Sequence, residues 1–141
     1  MASAEVVKLL KGTPMFGQFT EKELDAVLRT AKQRVFEPGS TIVREGDPGG
    51  VGFYLITSGQ VEVRKGKKAV LKLGVGEFFG EMALIDEAPR SADVVALEKT
   101  DCLMLTRWDL RGLIATYPDI ALKMLTELAR RLRNTTQALS E

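Results

Sequence analysis

Glycine divides the middle of the chain about every ten residues, and this spacing constrains the fold more than any other feature. Between the glycines of residues 33–106 lie short segments rich in valine, isoleucine and leucine. Segments of this length bounded by turn residues are typical of antiparallel β-strands, and many of them in series predict a closed sandwich or roll. The predicted strands are residues 34–37, 41–43, 52–58, 60–65, 68–73, 92–96 and 101–106.

Helical patterns flank this region on both sides. Residues 1–10 can form a short amphipathic helix, and Thr20 with Glu23 matches a capping box that opens a second helix. Its expected apolar face is Leu24, Val27, Leu28 and Ala31. The fold class is therefore α+β, a β-roll between N-terminal helices and a long C-terminal helix. We expect one domain over residues 1–141, with N-terminal helices in 1–32, the roll in 33–106 and C-terminal helices in 107–141. The two predicted C-terminal helices are residues 108–116 and residues 118 to about 138.

Composition narrows the classes of function. Hydrophobic residues make up 45% and charged residues 28%, which is typical of a globular chain. The formal net charge is only +1, so nothing global indicates nucleic acid or an anionic membrane as a partner. The sequence shows neither an apolar run of membrane-spanning length nor a signal-peptide pattern. We expect a cytoplasmic protein.

The chain contains no histidine and a single cysteine, Cys102. These residues cannot supply an iron–sulfur cluster, a common zinc site or the usual histidine ligand of haem. Without histidine or a nucleophile–base motif, we expect no enzyme activity, no catalytic residue, no metal and no cofactor. Cys102 follows Asp101 in an apolar stretch, which favours a small core residue over a reactive thiol.

Residues 78–96, FFGEMALIDEAPRSADVVA, place Glu81 nine positions before Arg90. Gly80 permits close approach of the backbone to a ligand, and the stretch after it can form about one helical turn whose N–H groups favour an anion. Arg90 offers a planar fork of donors to phosphate, Ser91 adds a hydroxyl, and Ala92 leaves its N–H accessible. Glu81 suits a sugar hydroxyl, so the pattern predicts a site for a small anion with a free hydroxyl. The alternative is an ordinary loop with an internal Glu81–Arg90 ion pair.

This segment resembles the phosphate-binding cassette of cyclic-nucleotide-binding domains. The resemblance implies that Glu81 holds the ribose 2′-hydroxyl and that Arg90 pairs with the cyclic phosphate. It also implies a β-roll, and the glycine spacing of the strands is similar to that of the family. The ligand-binding residues expected in this segment are Phe79, Gly80, Glu81, Met82, Ala83, Arg90, Ser91 and Ala92.

The long C-terminal helix carries an apolar seam with alternating spacings of four and three residues. Such a seam is typical of helices that pair, and 21 residues extend about 31 Å, longer than a small roll is expected to cover. We expect the first half to pack within the chain and the second half to pair with a second copy in a parallel homodimer. The alternative is that the whole stripe packs on the chain's own core. The seam residues are Ala121, Leu125, Leu128, Leu132, Thr135 and Leu139.

Residues 118–136 also resemble the dimerisation helix of the catabolite activator protein family, in which two adjacent hydroxyl residues contact adenine. The resemblance implies this role for Thr135 and Thr136, and hence cyclic AMP as ligand. Cyclic GMP stays open, because Ser91 beside Arg90 does not decide between them. We expect the three arginines of this helix, Arg130, Arg131 and Arg133, to be solvated charges rather than ligands. The alternative is that one of them stacks on a purine, as an arginine of this helix does in some channel domains.

The leading hypothesis is a soluble cyclic-nucleotide-binding module that signals by repositioning or pairing its C-terminal helix. Two alternatives are a dimeric scaffold with a vestigial pocket and the sensor fragment of a longer transcription regulator. No segment after the long helix offers a basic recognition helix, so we expect no direct DNA binding. The downstream effector is not indicated by the sequence.

Overall fold

The computed structural model describes residues 3–46, 52–80 and 92–140. The chain divides into two compact units. Thr30–Leu110 forms the first, which we call the roll, and Met1–Arg29 with Arg111–Glu141 forms the second, which we call the helical unit. The expectation of one domain over residues 1–141 stays a prediction.

The described part of the roll contains eight strands in two four-stranded sheets. All strand pairs are antiparallel, and their order is β1-β8-β3-β6 in the first sheet and β2-β7-β4-β5 in the second. The α+β fold with an antiparallel β-roll is therefore confirmed. The strands are β1 (Lys32–Phe36), β2 (Thr41–Val43), β3 (Gly52–Ser58), β4 (Val61–Lys65), β5 (Lys68–Leu73), β6 (Phe78–Phe79), β7 (Asp93–Ala96) and β8 (Thr100–Thr106).

An apolar cluster of described residues draws on strands of both sheets. Both sheets contribute to it, because the side chains of alternate residues on each strand point to the same face. Burial, together with the smaller effect of the nearby Asp101 charge, raises the pKa of the Cys102 thiol to about 12. The prediction that Cys102 is a core residue is confirmed. The cluster comprises Val43, Ile56, Val61, Leu73, Phe79, Val94 and Cys102.

Gly59 makes the tight turn between β3 and β4. Its φ of 95° lies in the region that favours glycine, and a Cβ there would meet the Lys99 carbonyl oxygen at 2.5 Å. Fully buried Thr100 lies beside it and donates its hydroxyl to the Glu98 carbonyl at 2.9 Å. This turn therefore requires glycine for two separate reasons.

The described residues contain four helices, α1 (Ser3–Lys11), α2 (Glu21–Thr30), α3 (Arg107–Thr116) and α4 (Asp119–Ser140). The capping box predicted for α2 is confirmed. The Thr20 N–H donates to Glu23 Oε1 at 2.7 Å, and the Glu23 N–H donates to Thr20 Oγ1 at 3.1 Å. Each side chain satisfies a backbone group that a helix start leaves open.

The helical unit has its own buried apolar residues. Leu24 and Val27 of α2 are buried as predicted. Ala31 was wrongly placed on the same helix face, because α2 ends at Thr30 and Ala31 leads directly into β1. The fully buried large side chains of the unit are Leu10, Met15, Phe16, Leu24 and Ile120.

The surface of α4 is divided between buried and exposed apolar residues. Ile120 is buried near its start, whereas Leu122, Leu125 and Leu132 are 65%, 58% and 68% exposed. Two of these, Leu125 and Leu132, are seam residues one heptad apart. The described part of the chain contains no helix long and apolar enough to cross a membrane.

Candidate functional site

The chain enters the candidate site through β6, a two-residue strand at the edge of the first sheet. β6 pairs with β3, where Tyr54 lies opposite Phe79 and Leu55 opposite Phe78. The turn before it is fixed by hydrogen bonds, one of which joins the Glu77 N–H to the Gly74 carbonyl at 3.0 Å. The Ile56 N–H donates to the Glu77 carbonyl at 2.9 Å, the Gly76 N–H to the Ile56 carbonyl at 2.9 Å, and the Gly74 N–H to Glu77 Oε1 at 3.0 Å. The entry to the site is therefore held to β3 by backbone bonds.

Aromatic contacts fix the last side chain before the site. The Tyr54 and Phe79 rings stack at 5.0 Å between centroids with an angle of 13° between their planes. Phe36 meets Tyr54 edge-on at 6.1 Å and 69°. Offset stacking and edge-on contacts are the favourable geometries of aromatic pairs. Phe79, predicted as a site residue, is buried and holds the start of the segment through its ring.

Gly80 follows Phe79 with a φ of 80°, a conformation that L side chains rarely adopt. The backbone thus changes direction at the position predicted to approach a ligand. The predictions for Glu81, Met82, Ala83, Arg90 and Ser91 lie outside the described residues. Their roles stay predictions.

The chain re-enters the roll at Ala92, which is half-buried. Asp93 follows, and its Oδ1 accepts a hydrogen bond of 2.6 Å from the Glu45 N–H. β7 then lies between β2 and β4 in the interior of the second sheet. Residues 81–91 therefore connect the edge of one sheet with the interior of the other, and both of their attachment points are fixed.

Thr135 and Thr136 lie on α4 in the helical unit, and both are exposed. Their hydroxyls donate to the carbonyls of Arg131 and Leu132, at 3.0 Å and 2.9 Å. Such bonds to the preceding turn are common for threonine in helices. The contact with a base stays a prediction.

Two buried carboxylates in the helical unit were not predicted as charged pairs. Glu23 Oε1 accepts a hydrogen bond of 2.6 Å from Lys123 Nζ, in addition to the one from Thr20. Burial acts to raise the pKa of Glu23, but the bonds from Lys123 and Thr20 outweigh it, and the pKa lies below its ordinary value of 4.5. Sequence identified Glu23 only as a cap, since its second partner is 100 residues away.

The second carboxylate, Glu127, is buried on α4. It accepts a hydrogen bond of 2.6 Å from Arg130 Nε, and Arg131 Nε lies 4.0 Å from its Oε2. Arg130 and Arg131 are thus paired charges at the surface rather than wholly solvated ones. The spacing of three and four residues was the available signal for these pairs.

Among the described residues, no cluster of three or more cysteine, aspartate or glutamate side chains is arranged to hold a metal ion. The site geometry instead consists of two anchored strand ends and a glycine turn. The family model of the cyclic nucleotide-binding domain matches residues 33–117, which include both strand ends and the segment between them. The chain belongs to this family.

Two solved structures have the same fold as this chain. The N-terminal domain of a transcriptional regulator from Streptomyces coelicolor has a TM-score of 0.82 and 29% identity, with 94% of this chain and 95% of that chain covered. The catabolite activator protein of Thermus thermophilus has a TM-score of 0.81 and 38% identity, with 91% and 62% covered. The resemblance to the sensor domains of such regulators is therefore confirmed.

Sequence comparison with curated proteins gives a consistent result. The cyclic AMP receptor protein of Thermus thermophilus is 40% identical over 129 residues, 88% of this chain. This chain spans 59% of that relative's length. It is thus a cyclic nucleotide-binding regulatory domain of the kind found in such receptor proteins.

Proposed function

We propose that this domain binds cyclic AMP and transmits the binding event through α4. The observation that carries the proposal is the position of the Glu81–Arg90 motif. It lies between Gly80, with its φ of 80°, and Ala92, at the two anchored strand ends of a cyclic nucleotide-binding fold. The name of the Thermus thermophilus relative, a cyclic AMP receptor protein, supports cyclic AMP over cyclic GMP.

Each proposed contact follows from the chemistry of the ligand. A 3′,5′-cyclic phosphate uses both of those oxygens, so the 2′-hydroxyl is the free hydroxyl of the ribose. Glu81 accepts the hydrogen bond of that hydroxyl, and Arg90 donates two hydrogen bonds to the phosphate. Gly80, Ser91 and Ala92 supply further donors around the phosphate.

We propose that the base contacts Thr135 of one subunit of a dimer, Thr136 of the other, or both. Binding then favours the state in which α4 is docked or paired, because a ligand shifts an equilibrium only by its different affinity for the two states. In this scheme the domain senses the nucleotide rather than transforming it, and α4 carries the signal to an effector.

The first test is isothermal titration calorimetry with cyclic AMP, cyclic GMP, 5′-AMP and 2′-deoxy cyclic AMP. Arg90→Ala should weaken cyclic AMP binding by at least about 2 kcal/mol, the scale of removing one partner of a buried charge pair. Arg34→Ala, which removes an exposed arginine of β1, is the matched control and should leave the affinity unchanged. Absence of binding by either cyclic nucleotide at high micromolar concentration would refute the proposal.

A double-mutant cycle assigns the 2′-hydroxyl to Glu81. In the wild type, 2′-deoxy cyclic AMP should bind more weakly than cyclic AMP, because a buried acceptor is left unpaired. In Glu81→Ala the two ligands should bind equally, since the acceptor is gone. A persistent preference for cyclic AMP in this variant would assign the hydroxyl to another residue.

The exposed leucines of α4 favour a second candidate, a dimeric interaction protein whose pocket is vestigial. Leu125 and Leu132 lie on one helix face and are mostly solvent-exposed, as expected for a seam that pairs with a second copy. Both candidates predict a homodimer by sedimentation. Only the sensor predicts that cyclic AMP changes the dimerisation constant and the melting temperature.

A further inference from the structure

The β4–β5 hairpin leaves one edge of the second sheet open. β5 is the last strand in the order β2-β7-β4-β5, and it bonds to β4 on one side. Within the described residues, no strand pairs with its other side. Its unpaired backbone groups therefore form a template on which another extended segment can add.

This edge also exposes adjacent apolar side chains. Val63 pairs with Leu71 and Arg64 with Ala69, so Val70 is the extra residue of a bulge. Val70 is 62% exposed and Leu71 53% exposed. The exposed strand thus offers both hydrogen-bonding groups and apolar surface.

Apart from Glu62, the charged residues of the hairpin are cationic, and at its tip Glu45 Oε1 accepts a hydrogen bond of 3.2 Å from the Gly66 N–H. Between Glu62 and Glu77 the sequence contains five cationic residues and no acidic one. One of them, Arg64, bonds Glu62 Oε1 through its Nε at 2.7 Å. The lysines of the edge, Lys67, Lys68 and Lys72, are exposed and make no ion pair with any described residue.

We propose that the open edge of β5 binds an extended acidic segment of a partner protein, which adds to the second sheet as a further strand. Backbone hydrogen bonds supply part of the affinity, and alternate side chains of the added strand contact Val70 and Leu71. Carboxylates beside Lys68 and Lys72 complete the match, because opposite charges stabilise cross-strand pairs.

Charge and position distinguish this partner from other occupants. Pairing of two β5 edges would bring lysines of two copies together, which is unfavourable. The hairpin tip, residues 65–68, consists of lysines and Gly66 without an apolar residue that could enter a membrane. The apolar residues lie back along the edge, where an added strand would lie.

The test uses fluorescence anisotropy with a labelled peptide of alternating glutamate and valine. A proline at each end of the peptide prevents the peptides from pairing with one another. Lys68→Glu with Lys72→Glu should weaken its binding at least about fivefold, since two favourable pairs become repulsive. The matched control is Lys32→Glu with Arg34→Glu on β1, the exposed edge of the first sheet. This double variant should change the affinity for the peptide by less than about twofold. Binding of cyclic AMP should be unaffected by either double variant, so this test is independent of the proposed function.

A second peptide, methylated on alternate backbone nitrogens, separates strand addition from simple charge attraction. It keeps its charges but cannot form the full ladder, and its binding should be lost. Equal binding of both peptides, or no binding at about 1 mM, the range of very weak association, would overturn the proposal. Binding of phosphatidylserine vesicles would also overturn the proposal under two conditions. The Lys68→Glu, Lys72→Glu variant would have to abolish that binding, and the peptide would have to fail to compete with it.

Discussion

The roll and the helical unit differ in how their interiors are specified. In the roll, seven of the eight strands each contribute a residue to one apolar cluster. In the helical unit, apolar residues are buried together with two carboxylates, Glu23 and Glu127, each held by a cationic partner. The same unit also leaves leucines of α4 exposed.

This difference indicates a division of tasks. Apolar burial provides most of the stability of a fold, whereas a buried ion pair adds little net stability but strongly penalises its own disruption. We therefore expect the roll to be the stable scaffold. We expect the helical unit to be held in one arrangement by a few charged contacts, which makes its arrangement sensitive to single changes.

The largest effect is expected in the roll. Ile56 is fully buried in the apolar cluster, so Ile56→Ala should lower the free energy of unfolding by about 3–4 kcal/mol through lost burial and a cavity. Urea denaturation measures this change. Ile56→Val is the control and should cost about 1 kcal/mol. If Ile56→Ala cost less than the roughly 1 kcal/mol expected of Ile56→Val, the roll would not be tightly packed.

The next largest effect is expected at the charged contact of the helical unit. Glu23→Gln should cost about 2 kcal/mol, because the Lys123 ammonium and the Thr20 N–H both lose the carboxylate that accepts their hydrogen bonds. Urea denaturation again measures it. Adding Lys123→Met should recover part of the loss. Additive losses in the double variant would show that the two side chains do not interact.

Acidification should weaken the same contact. The pKa of Glu23 is below 4.5 in the folded state, so the unfolded chain binds more protons as the pH falls through that value. Its contribution is present above pH 4.5 and is lost as the pH falls through the folded pKa. The stability of the wild type should therefore decrease more steeply below pH 4.5 than that of Glu23→Gln. Parallel pH profiles would contradict the assigned direction.

A smaller effect is expected at the start of α3. Thr106 and Asp109 form a reciprocal pair, in which each side chain accepts the other's N–H at 3.0 Å. Thr106→Ala should cost about 1 kcal/mol, typical of a lost cap. Thr126→Ala is the control, since the Thr126 hydroxyl donates only to a carbonyl within α4, and it should change thermal stability little. Equal effects would show that the cap contributes nothing of its own.

The smallest effect on unfolding is expected at the exposed seam. Leu132→Gln should change the free energy of unfolding of the monomer by less than about 0.5 kcal/mol, because the side chain is already in solvent. The same substitution should weaken self-association in sedimentation experiments if the α4 seam pairs two copies. A large loss of monomer stability would mean that Leu132 packs within its own chain.

The strands were the most predictable part of the fold. Three of them, β2, β3 and β5, have the predicted bounds, because glycine and proline mark their ends in the sequence. β6 was missed, since two residues cannot show an alternating pattern and its pairing with β3 depends on the tertiary fold. The membership of the family was predictable for a different reason. Glu81 and Arg90 of the 78–96 segment have the spacing that is typical of the family.

The supports of the candidate site were not predictable from the sequence. The roles of Phe79 and Gly80 in binding stay predictions, and nothing marked Tyr54 as the ring that stacks on Phe79. The sequence likewise showed no sign of the hydrogen bond between Glu23 and Lys123. Local patterns encode caps and strands, whereas contacts between distant segments depend on how the elements pack.

The double use of Glu23 Oε1 has a consequence for spectroscopy. One oxygen atom accepts hydrogen bonds from the Thr20 N–H and from Lys123 Nζ. Withdrawal of the lysine would strengthen and shorten the remaining bond and change the chemical shift of the Thr20 amide proton. That single resonance would therefore report, without any attached label, whether the first turns of α4 are in place beside α2.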